Sequence, residues 1–191
     1  LVSLEGLQFE NDHVTSLSPL GNLTAVKYLY LTHNNVSDIS VVANMTGMKF
    51  LLAEYNNISD ISPIAGMADL SDLRFSHNRV SDISVISTLP ALEWFIAGHN
   101  AISEIPDLTN CSATLELMTL SYNSISDVSN LSVLAGLTSL ELEGNAVTNL
   151  SALADMTVGF LGLSRNNISD IAPLEFTGIS HIDLSYNIIT N

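Results

Sequence analysis

The chain has few of the residues on which many protein functions depend. Its single cysteine, Cys111, excludes an internal disulfide framework and a zinc site of the multi-cysteine type. Only 5 basic residues accompany 20 acidic ones, and the net charge of −15 repels nucleic acid and anionic membranes. No apolar run approaches the roughly 18 residues of a membrane helix, so no membrane insertion is expected. The first residues are not a basic segment followed by an apolar one, and we interpret the chain as a fragment of a longer protein.

What the chain has in abundance is one repeated motif. It appears as LTHNNVSDIS at residues 31–40 and returns downstream as AEYNNISDIS, FSHNRVSDIS and LSYNSISDVS. Aligning on the asparagine gives spacings of 22, 22, 22, 22, 23, 22, 21 and 21 residues, and the nine positions are Asp12, Asn34, Asn56, Asn78, Asn100, Asn123, Asn145, Asn166 and Asn187. Such regularity is typical of an array of structural repeats.

Apolar residues recur three and five residues before each aligned position, as in Leu29 and Leu31 before Asn34. This alternation predicts a short strand with one buried face in every repeat. The unit fits the leucine-rich repeat pattern, in which each coil adds one strand to a parallel sheet. The sequence therefore predicts a single leucine-rich repeat domain of about nine coils over residues 1–191.

The asparagine is expected to turn the chain out of the strand and to bond backbone groups of neighbouring coils as a ladder. We expect Asn78→Ala to destabilise the fold, and Asn187→Ala to cost far less because its coil lacks a following neighbour. An acid recurs four residues later at Asp38, Asp60, Asp82, Glu104, Asp127 and Asp170, with Ser16 and Asn149 as substitutes. These residues are predicted to cap short return helices of the 3₁₀ type. A Ca²⁺ site is the alternative, although one acid per coil is a poor set of ligands.

The repeats, with return segments such as DISPIAGMADL at 60–70, resemble the internalin family of bacterial surface proteins. The resemblance covers essentially the whole chain. It implies a curved right-handed solenoid with a concave parallel sheet, convex short helices and a protein-binding surface. The helical cap that precedes internalin repeats and the domain that follows them have no counterpart in these residues.

The register of the strands predicts which side chains face outward on the concave sheet. Ten of them form the predicted binding surface: Tyr28, Tyr30, Phe50, Leu52, Asp72, Arg74, Trp94, Ile96, Leu117 and Phe160. Exposed aromatic residues are typical of binding sites, and the Asp72 and Arg74 pair could add polar specificity. A second column, His33, Tyr55, His77, His99 and Tyr122, lies at the rim just before the ladder asparagines. It could be a pH-sensing or metal-binding pair at His77 and His99, or merely an exposed position that favours flat rings.

No arrangement of nucleophile, base and orienting group is visible, and Cys111 aligns with interior positions, so an enzyme is not expected. No cofactor is expected either. The predicted function is binding of another protein by an extracellular or cell-surface module. Carbohydrate binding by the concave aromatic residues and a structural, self-assembling role remain alternatives, and uncapped ends predict self-association or fraying.

Overall fold

The computed structural model describes residues 3–134, 136–175 and 178–190. Nine short strands form one parallel sheet whose spatial order follows the chain. They are β1 (Gly6–Gln8), β2 (Tyr28–Tyr30), β3 (Phe50–Leu52), β4 (Asp72–Arg74), β5 (Trp94–Ile96), β6 (Leu117–Thr119), β7 (Ser139–Glu141), β8 (Phe160–Gly162) and β9 (His181–Asp183). The predicted parallel sheet, with one short strand in each repeat, is confirmed.

The core lies behind the sheet and runs the length of the array. Its first column is the middle residue of each strand from β2 to β8, and each is fully buried: Leu29, Leu51, Leu73, Phe95, Met118, Leu140 and Leu161. Two residues later a second column, which includes Leu31 and Phe75, is equally buried. One coil alone could not bury these faces, so each coil is stabilised by its neighbours.

Within the described ranges, eight 3₁₀ helices return the chain on the convex side. They are Ser18–Leu20, Ser40–Asn44, Ser62–Ile64, Ser84–Thr88, Thr109–Cys111, Ser129–Val133, Ser151–Leu153 and Ala172–Leu174. The predicted caps are confirmed in seven coils. Asp38 Oδ1, for example, accepts the Ser40 backbone N–H at 2.7 Å, and Asn149 does the same for Ser151. This bond lowers the pKa of Asp38, since it favours the ionised carboxylate.

Glu104 is the exception to the cap prediction. In the coil of 23 residues the 3₁₀ helix begins three residues later than in the coil before it, counted from the ladder asparagine. Asp107 there accepts the Thr109 backbone N–H at 2.9 Å. The assignment of the cap to Glu104 was wrong, because the Pro106 and Asp107 segment displaces the start of the helix.

The asparagine ladder is present and it has a direction. Asn78 Oδ1 accepts the Ile58 N–H of the preceding coil at 2.9 Å, and Asn78 Nδ2 donates to the carbonyls of Ala53 and Phe75. Asn187 makes the same set of bonds to Ile168, Leu163 and its own coil. The reason given for a small effect at Asn187 was therefore wrong, because the ladder uses the preceding coil and not the following one.

Candidate protein-binding surface

The outward side chains form two rows across the sheet, and the pairing of the strands confirms their register. The first row is Gly6, Tyr28, Phe50, Asp72, Trp94, Leu117, Ser139, Phe160 and His181. The second is Gln8, Tyr30, Leu52, Arg74, Ile96, Thr119, Glu141, Gly162 and Asp183. The large side chains of both rows are concentrated on β2 to β6.

We call these large side chains the concave patch: Tyr28, Tyr30, Phe50, Leu52, Asp72, Arg74, Trp94, Ile96 and Leu117. Tyr28 and Phe50 meet edge to face, with ring centroids 5.2 Å apart. Trp94 is the most open member at 41% exposed. Phe160 is separated from the patch by Ser139, and its ring lies against Gly162. A side chain at position 162 would bring its Cβ within 3.2 Å of that ring.

A buried ion pair lies in the middle of the concave patch. The Arg74 guanidinium donates from Nε and Nη2 to both carboxylate oxygens of Asp72, at 2.7 and 2.8 Å. These hydrogen bonds raise the pKa of Arg74 above its ordinary value. Asp72 is only 6% exposed, whereas Arg74 is half-buried and places Cζ 5.4 Å from the centroid of the Trp94 ring. Arg74, and not Asp72, is the polar group that a partner would meet.

Beside the concave patch lies a strip of small residues that we call the trough. Ser76, Gly98 and Ser121 occupy the next outward positions after β4, β5 and β6. Gly98 is buried, and a Cβ there would approach the Ser121 carbonyl oxygen to 3.1 Å. Ser121 Oγ is also buried, and among the described residues it has no hydrogen-bond partner. No large side chain therefore separates Ile96 from the rim of the sheet.

The rim beyond the trough carries the five side chains that we call the ring column: His33, Tyr55, His77, His99 and Tyr122. Their rings stack nearly parallel, within 13° at every step. Successive centroids are 4.2, 4.1, 4.1 and 4.4 Å apart. The predicted contact between His77 and His99 is confirmed, and it is one step of a continuous stack.

The backbone of the ring column explains its regularity. All five residues have φ between 54° and 58°, in the left-handed region. The same position in the next coil is Gly144, with φ of 66°, and the following two coils place Arg165 and Tyr186 there at 56°. Because this conformation repeats in register, each side chain leaves the backbone in the same direction and meets its neighbour.

A polar network continues the rim after Tyr122. The Tyr122 hydroxyl donates to Glu143 at 2.6 Å, a bond that raises the pKa of Tyr122. Glu143 pairs with Arg165 at 3.2 Å, and the Arg165 guanidinium lies 4.4 Å from the Tyr186 ring centroid. The Tyr122 ring leans over Gly144, where a Cβ would come within 2.7 Å of it.

Charges of both signs border the concave patch on its other side, where the chain enters each strand. Lys27 pairs with Glu5 at 2.6 Å, and Lys49 is the next basic residue of this border. Glu93 and Glu116, directly before Trp94 and Leu117, are exposed. Within the described residues, neither glutamate forms an ion pair. The border is therefore neutral beside β2, where Glu5 offsets Lys27, basic beside β3 and acidic beside β5 and β6.

The geometry gives little support to a reactive cysteine, a metal site or a membrane-spanning helix. Cys111 is fully buried, as predicted for a core residue, and burial raises the pKa of its thiol. In the part of the chain that the structure describes, no group of three or more His, Cys, Asp or Glu residues could hold a metal ion. No helix in that part is long and apolar enough to cross a membrane.

Three features of the site were not predicted from sequence: the contact of Arg74 with Trp94, the network from Tyr122 to Tyr186, and the trough. The trough had a visible signal, because Ser76, Gly98 and Ser121 align two residues before the asparagine. The other two features depend on the direction in which long side chains such as Arg74 and Arg165 extend toward a neighbouring coil. The spacing of residues in the sequence does not determine that direction.

Comparison with known proteins identifies the fold. No protein-family model matches the chain, and no curated protein sequence matches it. Among solved structures, an internalin of Listeria monocytogenes (inlF) superposes with a TM-score of 0.84 at 24% identity, over 99% of this chain. A leucine-rich repeat protein of Leptospira interrogans gives 0.86 at 22% identity over 97% of this chain. A structure of the Toll–Spatzle complex of Drosophila gives 0.83 at 20% identity over 98% of this chain.

The match covers only part of each of these proteins. The chain spans 63% of the internalin, 50% of the Leptospira protein and 29% of the third. With identities this low, the likeness concerns the backbone architecture. The continuous parallel sheet, the 3₁₀ returns and these matches together show that the chain has the leucine-rich repeat solenoid fold of the internalins.

Proposed function

We propose that this chain is an extracellular or cell-surface module that binds another protein through its concave sheet. The observation that carries the proposal is the concave patch on β2 to β6. There Trp94 is 41% exposed, Tyr28 and Phe50 pack edge to face, and Arg74 is held in place by Asp72. Aromatic residues and arginine are the side chains most often found where binding energy concentrates.

The rigidity of the patch supports binding rather than a purely structural role. Arg74 is fixed by two hydrogen bonds to Asp72, so it loses little rotational freedom when a partner arrives. Tyr and Trp likewise present a large contact area with few rotatable bonds. A side chain that served only the core would face inward, as Phe75 and Phe95 do.

The charged border indicates what a partner should carry. A partner with an apolar centre, an acidic group near Lys49 and basic groups near Glu93 and Glu116 would match both the patch and its border. One similar structure is that of the complex of Toll with Spatzle, on the same fold. This likeness supports a protein partner.

The proposal can be tested by screening purified extracellular proteins and a glycan array with the wild-type chain. Each hit is then measured again with Trp94→Ala and with Val133→Ala. Val133 is a matched control because it is 40% exposed but lies on the convex 3₁₀ helix Ser129–Val133. Protein hits that weaken about tenfold with Trp94→Ala alone would support the proposal.

Two other outcomes would replace the proposal. Glycan hits that depend on Trp94, without protein hits, would indicate a carbohydrate-binding module. Self-assembly through the concave face would instead be indicated if the apparent molar mass from light scattering rose with concentration and Trp94→Ala abolished that rise.

A further inference from the structure

The ring column brings three of the five histidines of the chain into one stack. His33 lies against Tyr55, and Tyr55 lies against His77 on its other face. His77 and His99 are in direct contact, with centroids 4.1 Å apart. The other two histidines, His13 and His181, are exposed and outside the stack.

Direct contact of two imidazoles has a consequence for their protonation. A neutral ring stacks readily on its neighbour, and one imidazolium can lie on a tyrosine face through a cation–π contact. Two adjacent imidazoliums repel each other strongly at about 4 Å. The stacked state of His77 and His99 therefore favours at most one proton on the pair.

Burial at the centre of the column also disfavours protonation. His77 is half-buried, whereas His33 and His99 are exposed. Burial is the largest cause of a lowered pKa for His77, and the charges of His99 and His33 add to it. Histidine is the side chain whose ordinary pKa, about 6.5, lies closest to physiological pH.

Few charged groups lie beside the column. Glu54 accepts the Thr32 hydroxyl on the concave side of His33, and Glu143 accepts the Tyr122 hydroxyl at the far end. Arg79, two residues after His77 in the chain, donates to Asn57, and Arg165 pairs with Glu143. Glu54 directly precedes Tyr55 in the chain, and Glu143 belongs to the coil after Tyr122.

We propose that the ring column is a pH switch at the rim of the concave surface: it is neutral and stacked at neutral pH, and protonation in mild acid separates His77 from His99. The switch follows from the geometry of the chain alone. Any effect of the switch on a partner rests on the proposed function. Such an effect would act through the trough of Ser76, Gly98 and Ser121, which lies between the column and the concave patch. Separation of the rings would alter one wall of that trough.

The direction of the stability change follows from linkage. Because the pKa of His77 is lower in the folded chain than in the unfolded chain, the unfolded chain binds more protons between the two values. The stabilisation is therefore complete above the ordinary pKa of histidine, about 6.5, and is lost as the pH falls toward the folded value.

The first test is an NMR titration of the imidazole C–H signals of the wild-type chain between about pH 7.5 and pH 5.5. We expect His77 to titrate below the ordinary pKa of histidine, about 6.5. The ring-current shifts of His77, His99 and Tyr55 should diminish over the same range. A His77 midpoint at or above that ordinary value would overturn the proposal, as would ring-current shifts that persist at low pH.

The second test compares thermal stability. The variant with His33→Tyr, His77→Tyr and His99→Tyr keeps flat rings at positions where Tyr55, Tyr122 and Tyr186 already adopt the same φ. A control variant carries His13→Tyr and His181→Tyr. Between about pH 7.5 and pH 5.5, the wild type and the control should lose about 2–4 °C of Tm relative to the column variant.

Equal pH dependence in all three proteins would overturn the proposal. If the column variant does not fold, the single variant His77→Tyr and the titration of the wild type decide the question. Neither measurement uses a partner, so failure of the pH switch and failure of the proposed function can be told apart.

Discussion

A single side chain in each coil, the ladder asparagine, bonds the backbone of two coils. Asn78 accepts the Ile58 N–H through Oδ1, and its Nδ2 donates to the carbonyls of Ala53 and Phe75. An amide is needed because it both donates and accepts, which no aliphatic residue or carboxylate can do. Asp12 occupies the first such position, before which no coil is described.

Replacement of Asn78 tests this role. Asn78→Ala leaves the Ile58 N–H without its acceptor and removes one of the two asparagine donors from each of the Ala53 and Phe75 carbonyls. We expect a loss of about 1–3 kcal/mol of unfolding free energy in urea. Asn187→Ala removes equivalent bonds but in a more exposed coil, where water can replace them, so the loss should be smaller and still measurable. Asp12→Ala is the control and should change little. Equal losses at all three positions would show that the ladder does not organise the fold.

The exposed aromatic residues of the concave patch give a second prediction at this scale. Trp94→Ala and Tyr30→Ala should weaken partner binding by about tenfold or more, close to 1.4 kcal/mol each. Thermal stability should change little, since these residues face away from the core, although half-buried Tyr30 contributes more to it than Trp94. Calorimetric titration and thermal unfolding measure the two effects. Large losses of stability with unchanged affinity would contradict the assignment of the concave face.

At the scale of elements, one conformation at the end of each strand sets the shape of the rim. The residue directly before each ladder asparagine, from Asn34 to Asn187, has a positive φ in the left-handed region. Asn, His and Tyr tolerate this backbone at some cost, and glycine tolerates it freely. The cost recurs in coil after coil, and stacking accompanies this conformation from His33 to Tyr122.

Gly144 provides a test of the rim. Gly144→Ala places a methyl group in a backbone with φ of 66° and within 2.7 Å of Tyr122 Cδ1. Gly66→Ala is the matched control, because its φ is 72° but nothing lies within 4 Å of the added Cβ. We expect about 1 kcal/mol of destabilisation at Gly66 from the backbone alone, and clearly more at Gly144. NMR of the Tyr122 ring should show displacement only for Gly144→Ala; the idea fails if the two variants behave alike.

For the molecule as a whole, stability is graded along the array. Strands β2 to β8 each bury their middle residue, whereas all three residues of β9 are exposed, with Ile182 at 41%. In a repeat array each coil depends on its neighbours, so the terminal coils are the least stable.

We therefore expect the isolated 191-residue chain to fray at its ends or to associate through them. Hydrogen exchange should be fast in β1 and β9 and slow in β4, which is the internal control. Light scattering over a range of concentrations distinguishes fraying from association. Uniform protection of all nine strands in a monomer would contradict this expectation.

Much of the architecture follows directly from the sequence. The 21- to 23-residue period gives the number of coils, and the alternation around Leu29 and Leu31 gives the register of the sheet. Both are local properties, repeated nine times, and a slip of one residue would turn every apolar side chain outward. For the same reason the outward rows, the ladder positions and the neighbouring rings of His77 and His99 could be predicted.

The tertiary structure decided the features that depend on contacts between coils. Sequence placed Asp72 and Arg74 on the surface, but only packing shows that Arg74 covers Asp72 and lies against Trp94. The direction of the ladder and the cap at Asp107 in place of Glu104 are of the same kind. A repeat pattern fixes where a side chain leaves the backbone. Which of several neighbours it reaches is settled by the free energy of three-dimensional contacts, and a linear period does not contain that information.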